Sequence, residues 1–308
     1  MGGNGSQLLE QCLLIRRAEE KIVDVYASDL IQSPVHLSIG QEAAAVGLCA
    51  ALRTTDPLFS TYRSHAYFLA KGGSLHEFFA ELMGRATGCC GGKGGSMHLA
   101  DPSVGFMGTS AIVASSLSNA AGVAWAKKAD SVDDVVVAVI GDGALEEGVY
   151  HEVLNFASLH NLPLILVVED NGWAVHSSVG ARQAFQMEEH ARAYGVGTYR
   201  LGPALDPRVI AEQFAGIVEA TRNDRAPRWV HLEVFRVKEH VGPGDDFHAG
   251  YRNKDDCQRW LDQEWSSLEW SGRHVAEERV SAEIAESFTR AASDPFPDRS
   301  SLFIDVVG

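Results

Sequence analysis

Residues 135–140 (VVVAVI) form an unbroken apolar run that ends in Gly141-Asp142-Gly143-Ala144, and this junction limits the possible folds more than any other stretch. A run this apolar and β-branched reads as a strand buried on both faces. Beyond the turn, residues 146–160 carry Val149, Val153, Phe156 and Ala157 at helical spacing, and Asn161 and Pro163 end that helix. A second apolar run, residues 164–168, closes on Glu169-Asp170-Asn171-Gly172. A strand, a helix and a strand joined this closely should form a parallel pair with a right-handed crossover. The predicted fold class is therefore α/β, a mostly parallel sheet flanked by helices.

The geometry that follows is specific. Asp142 and Asn171 both fall just past the carboxyl ends of parallel strands, where open α/β sheets bind ligands. Asp142 offers a hard anionic oxygen and Asn171 a neutral one. A Mg²⁺ ion takes about six oxygens and commonly shares them with phosphates and water. The helix after the turn directs free N–H groups to the same edge, which suits an anion, and Gly143 permits close backbone approach. An ordinary tight turn and an ordinary strand-end asparagine are the competing reading. Two oxygens on one sheet edge favour the metal and diphosphate site.

The totals exclude several classes. With 26 basic and 41 acidic residues the net charge is −15, which argues against nucleic acid and against an anionic membrane surface as partners. The five cysteines, Cys12, Cys49, Cys89, Cys90 and Cys257, lack zinc-ligand spacing, and the odd count points to reduced thiols. No apolar run approaches the ~20 residues of a membrane span. The first residues show neither a basic start nor an apolar segment, so a soluble cytoplasmic protein is expected. Gly91-Gly92-Lys93-Gly94-Gly95-Ser96 has the look of a phosphate loop. It departs from that motif because Gly94 follows Lys93 and Thr87 stands where its first glycine belongs. A dinucleotide-binding glycine motif after a strand is also missing.

Helices are expected over residues 7–28, 39–52, 75–83, 111–127 and 207–222, with a strand over 229–234. Residues 239–250 form a Gly/Asp/His loop whose length suggests functional use. From Lys254 to Ala292 the chain reads as helical. One domain spanning 1–308 is expected, with an N-terminal helical extension to about residue 35 and a C-terminal helical tail from about residue 254. Arg63, within Tyr62-Arg63-Ser64-His65, can grip a phosphate with two prongs, or it forms a surface salt bridge. His36 and His240 stand in or beside non-helical segments, where histidines often transfer protons.

Taken together, these segments resemble the alpha subunits of thiamine-diphosphate-dependent 2-oxo acid dehydrogenases, the family of pyruvate, branched-chain 2-oxo acid and acetoin dehydrogenases. The resemblance rests on His36-Leu37-Ser38-Ile39-Gly40-Gln41-Glu42-Ala43, Tyr62-Arg63-Ser64-His65, Gly92-Lys93-Gly94-Gly95-Ser96-Met97-His98 and Gly141-Asp142-Gly143-Ala144. It extends through Leu154-Asn155, Leu162-Pro163 and Asp170-Asn171-Gly172-Trp173. It implies a thiamine-diphosphate-binding fold, with Mg²⁺ held by Asp142, Asn171 and the backbone carbonyl of Trp173. Tyr62 and Arg63 would contact the diphosphate beside Gly143 and Ala144, and backbone groups of Ala111 and Val113 would meet the aminopyrimidine. His36 and His240 would be the catalytic histidines.

The implied activity is decarboxylation of a small 2-oxo acid, with the acyl unit passed to a lipoyl acceptor. The alternatives are carboligation to an aldehyde or another carbon electrophile, and acetoin cleavage. The implied partners are a beta subunit, in a heterotetramer of two alpha and two beta chains, and a lipoyl acyltransferase. Two positions depart from the family pattern. Asp170 replaces the first of two paired asparagines. In the 239–250 loop, the family histidine falls on Gly242 and the regulatory serine on Pro243, so His240 would have to substitute from two residues away.

Overall fold

The protein is described here by a computed structural model covering residues 5–304. Residues 1–4 and 305–308, the outer ends of the two expected extensions, lie outside the described residues. Eight strands occur in chain order: β1 (Leu58–Phe59), β2 (Phe106–Gly108), β3 (Val136–Gly141), β4 (Leu164–Asp170), β5 (Trp173–Ala174), β6 (Ser177–Ser178), β7 (Gly197–Leu201) and β8 (Arg228–Glu233). Six of them form one parallel sheet in the order β2-β1-β3-β4-β8-β7, and β5 and β6 make a small antiparallel ribbon.

The central pair behaves as its sequence demands. Val136 pairs with Leu164 and Gly141 with Glu169, so β3 and β4 run in register to their carboxyl ends. Val137, Val139, Ile165 and Val167 enter one hydrophobic cluster, and Val136, Ala138, Ile140, Leu164, Leu166 and Val168 enter the other. Alternate side chains therefore feed cores on opposite faces, which is why both runs are apolar throughout. Each buried Val, Ile or Leu contributes about 1.5–3 kcal/mol.

Among the described residues there are eleven α-helices. They are α1 (Gly5–Val25), α2 (Glu42–Ala50), α3 (His65–Ala70), α4 (Leu75–Leu82), α5 (Ser116–Ala129), α6 (Gly148–Leu159), α7 (Val179–Arg182), α8 (Met187–Ala193), α9 (Pro207–Asp224), α10 (Lys254–Leu261) and α11 (Arg273–Ser293). Helices α5 and α6 pack on each other beside β3, while α11 lies along α1 and α4. Among the described residues, no helix is long and apolar enough to cross a membrane. All five cysteines are free.

Three expected helices differ from those observed. The one placed at 39–52 begins only at Glu42, because Gly40 turns the chain at φ 96 against Phe235. The one placed at 111–127 begins at Ser116, after a turn in which Ala114 takes φ 61. The tail read as one helix is two, parted at a short turn where Trp265 is buried and donates to Glu42. Arg16 braces that junction by bonding both Glu42 and Glu264.

The glycine-rich loop at 88–95 wraps an anion that the chain itself supplies. The fully buried Glu81 carboxylate accepts N–H bonds from Cys90 (2.7 Å), Gly92 (2.9 Å), Gly94 (2.7 Å) and Gly95 (3.1 Å). A Cβ on Gly94 would sit 2.3 Å from the His98 carbonyl, so the loop closes this tightly only with glycine there. Glu81→Gln keeps the shape but turns an amide N–H₂ toward N–H donors. Denaturant unfolding should then show a loss of about 2–4 kcal/mol, the cost of leaving buried donors unpaired and removing their charge. A loss below about 1 kcal/mol would show that the carboxylate does not organise the loop.

Candidate active site

The carboxyl ends of β3 and β4 open into a cavity of about 280 Å³. Asp142, Gly143 and Ala144 enter it from the turn after β3, and Asn171 and Trp173 from the segment after β4. Tyr62 and Arg63 reach it from the loop after β1, Val113 and Ala114 from the turn before α5, and His240 from the loop after β8. Nine of the residues expected from sequence thus line one cavity. Ala111 does not, although its neighbours Ser110 and Ile112 do. His36 stands behind the wall, its ring 4.5 Å from that of Tyr62 and 5.3 Å from that of His240.

Asp142 is 1% exposed. Burial raises its carboxyl to about 6, with the charge of Asp170 adding to the effect and Arg182 opposing it. Asp170 bonds His231 (2.9 Å) and accepts from the Gly172 N–H (2.8 Å). Those bonds outweigh its own burial and hold it below the usual range. Asn171 Oδ1 accepts from the Trp173 N–H at 3.0 Å, which fixes the turn between β4 and β5. Arg182 places Nη2 2.5 Å from Asp142 Oδ2.

Arg63 is buried, and its guanidinium donates to the carbonyls of Leu37 (2.7 Å) and His240 (2.9 Å). Burial first, and then Arg236, lowers its pKa to about 10, so it remains a cation at neutral pH. Glu169 lines the cavity below it and accepts from the Tyr67 hydroxyl (2.9 Å). Burial lifts Glu169 to about 7 against the pull of Tyr67 and Arg63. His65, next in sequence to this group, is already engaged with Glu19 and Ser96 and does not reach the cavity.

The loop that carries His240 turns through a glycine. Gly242 sits at φ 117, and a Cβ there would lie 2.4 Å from Glu239 Oε1. That φ strains any L side chain, so the turn favours glycine, while His240 brings its ring to the cavity wall two residues earlier. The path is pinned below by Asp246, which accepts from Arg236 (3.0 Å) and Arg252 (3.0 Å) and pairs with Tyr251.

The sequence reading missed Gln41, Thr61, Glu146, Glu147 and Glu169 on the wall, and Arg182 and Gln183 behind it. Gln41 and Glu169 lay inside or beside motifs already in view. Arg182 had no local signal.

The donor set and the cradle fit a divalent metal with a diphosphate. A cation already stands on Asp142 in the form of Arg182, and a Cβ on Gly143 would come 2.9 Å from Ala174, so this wall stays open only with glycine. Gln41 Oε1, on the same wall, is buried without a partner.

The parallel sheet and the position of this cavity define an α/β fold of the thiamine-diphosphate-dependent enzymes. The family described as "Dehydrogenase E1 component" matches residues 10–299, and the chain belongs to that family. It is 33% identical to the alpha subunit of acetoin:2,6-dichlorophenolindophenol oxidoreductase from Bacillus subtilis, across 97% of this chain and 92% of that one. It is 34% identical to the pyruvate dehydrogenase E1 component alpha subunit of Rhizobium meliloti, across 96% of this chain and 88% of that one. The fold also matches a transketolase from Campylobacter jejuni with a TM-score of 0.59 at 19% identity, over 95% of this chain and 49% of that chain.

Both cavity-side histidines are neutral at physiological pH. Burial, then the charge of Arg63, lowers His36 from 6.5 to about 3 and His240 from 6.5 to about 4. The unfolded chain therefore binds more protons than the folded one below pH ~6.5, and stability rises with pH through that window. Their contribution is whole above pH ~6.5 and is lost as pH falls toward 4, at no more than about 1.4 kcal/mol per pH unit for each ring. Denaturant melts at pH 7 and pH 5 should show this loss, and His240→Gln should flatten the slope. An unchanged slope would mean that the ring is solvated in both states.

Proposed function

We propose that this chain is the alpha subunit of a thiamine-diphosphate- and Mg²⁺-dependent 2-oxo acid dehydrogenase, which decarboxylates a small 2-oxo acid and passes the acyl unit to a lipoyl acceptor. The observation that carries this reading is the placement of Asp142 and Asn171 at the ends of two strands in register, around one cavity that also holds Arg63. Asp142, Asn171 and the Trp173 carbonyl would hold Mg²⁺. Arg63 and Tyr62 would face the diphosphate, with Gly143 and Ala144 giving it a smooth wall. The turn at Ala111–Val113 would offer backbone groups to the aminopyrimidine. Thiamine diphosphate, when bound, supplies the electron sink for decarboxylation, and the protein supplies orientation and proton handling.

His36 and His240 suit the second task. Both are neutral, both lie against Tyr62, and His36 Nδ1 is buried without a partner, so it is open to a hydrogen bond from a reacting group. The chain is read as one domain that needs a beta subunit to complete the site, in a heterotetramer serving a lipoyl acyltransferase. Five free thiols fit a reducing compartment such as the cytoplasm. With Pro243 in the loop after β8, control by phosphorylation at that position is ruled out.

A second reading is acetoin cleavage or carboligation. The departure at Gly242 and the similarity to the Bacillus subtilis subunit favour it. Comparing lipoyl reduction with carboligation in the assembled complex separates the two.

Asp142→Ala should weaken thiamine diphosphate binding in the presence of Mg²⁺, measured by calorimetry. The loss should exceed the 10–100-fold that a merely supporting residue costs. Retained affinity would remove Asp142 from the metal site. His36→Ala and His240→Ala should leave affinity nearly unchanged and lower turnover by about 10²–10⁴. If cofactor affinity fell in step with turnover, these residues would be binding rather than catalytic.

A further inference from the structure

Helix α7 brings a charged group to Asp142 from 40 positions along the chain. Arg182 spreads its guanidinium over three acceptors: Nη2 on Asp142 Oδ2, Nη1 on Glu146 Oε1, and Nε on the Ser177 carbonyl at 3.1 Å. Gln183 follows it, donating to the Asp142 carbonyl (2.9 Å) and to Glu146 Oε1 (2.7 Å). The cavity wall carries the acids Asp142, Glu146, Glu147 and Glu169, with Arg63 as the cation that faces them from the same wall. Such a wall repels a diphosphate unless its acids are compensated.

Asp142 cannot satisfy a guanidinium and a divalent metal equally. A metal on Oδ2 competes for the same lone pairs and repels the neighbouring cation. Arg182 does not need to leave, because its planar fork is held by Glu146 and by the Ser177 carbonyl. Only Nη2 is released. We propose that Arg182 is a counter-ion that changes partner: it holds Asp142 until a divalent metal binds, then remains on Glu146 and keeps that acid of the cavity wall compensated. The inference rests on the cofactor reading above. It assigns Glu146 the role of a tether that the metal does not use.

The test separates two affinities in the full chain with its beta-type partner. Mn²⁺ alone is followed by electron paramagnetic resonance, and thiamine diphosphate at fixed Mg²⁺ by calorimetry. Arg182→Gln removes a competing cation, so Mn²⁺ alone should bind about tenfold tighter, a change of ~1.4 kcal/mol. The same variant leaves Glu146 uncompensated, so thiamine diphosphate should bind about tenfold weaker. Adding Glu146→Gln should bring cofactor affinity back to within about threefold of wild type, the coupling expected of groups in direct contact. Glu146→Gln alone removes the wall acid that Arg182 would compensate, so it should leave cofactor affinity undiminished.

Opposite signs for metal and cofactor are the signature, since a purely structural role would weaken both. If Arg182→Gln changes neither affinity, or lowers both, the proposal fails while the cofactor reading stands. Weaker cofactor binding in Glu146→Gln alone overturns it equally. A wild-type complex that binds no thiamine diphosphate overturns the cofactor reading and this proposal together.

Discussion

A carboxylate buried at the end of a parallel sheet must have a cation, and the arrangement of this half of the molecule follows from giving Asp142 one. The group is almost fully enclosed and has Asp170 close by, so leaving it unpaired would cost several kcal/mol. Arg182 answers that need from within the chain. The consequences run outward: α7 must lie against the turn after β3, the β5–β6 ribbon must reach back to deliver it, and Gly143 must lack a side chain where Ala174 passes.

The scaffold divides its labour between rigid and mobile parts. Strands β3 and β4 are locked in register and packed on both faces, so the two oxygens they present are fixed to the precision of the core. Tyr62, Arg63 and His240 come from the loops after β1 and β8 instead. These loops are not free: Arg63 bonds two carbonyls, one of them that of His240, and Asp246 anchors two arginines. Arg63, on the cavity wall, is thus bonded to the backbone that carries the histidine.

How much of this could be read from the residues follows from how each part is stabilised. Strands β3 and β4 were legible because burial on both faces forces an unbroken apolar run. Strands β1 and β2 span two and three residues and owe their extension to neighbours. The edge strand β7 keeps much of its surface in solvent and so lacks a buried pattern. The start of α5 was hidden because nothing in a stretch of alanines and serines announces that Ala114 takes a left-handed turn. Asp142, Asn171 and Arg63 were found through strand ends and motifs. Arg182 and Glu146 were not, since an ion pair between distant segments has no periodicity. Gly242 looked like a missing histidine, and the backbone shows a positive-φ turn there that favours glycine.

The loop at 88–95 carries a different lesson. Its row of backbone N–H groups has the shape by which many proteins capture phosphate, yet Glu81, tethered on α4, already fills it. A tethered carboxylate acts as a ligand of very high effective concentration, and a free anion would have to displace it without the benefit of a linkage. The chain has in effect poisoned one of its own anion receptors with a permanent internal inhibitor. A phosphate cannot rest in this loop while Glu81 stays in place.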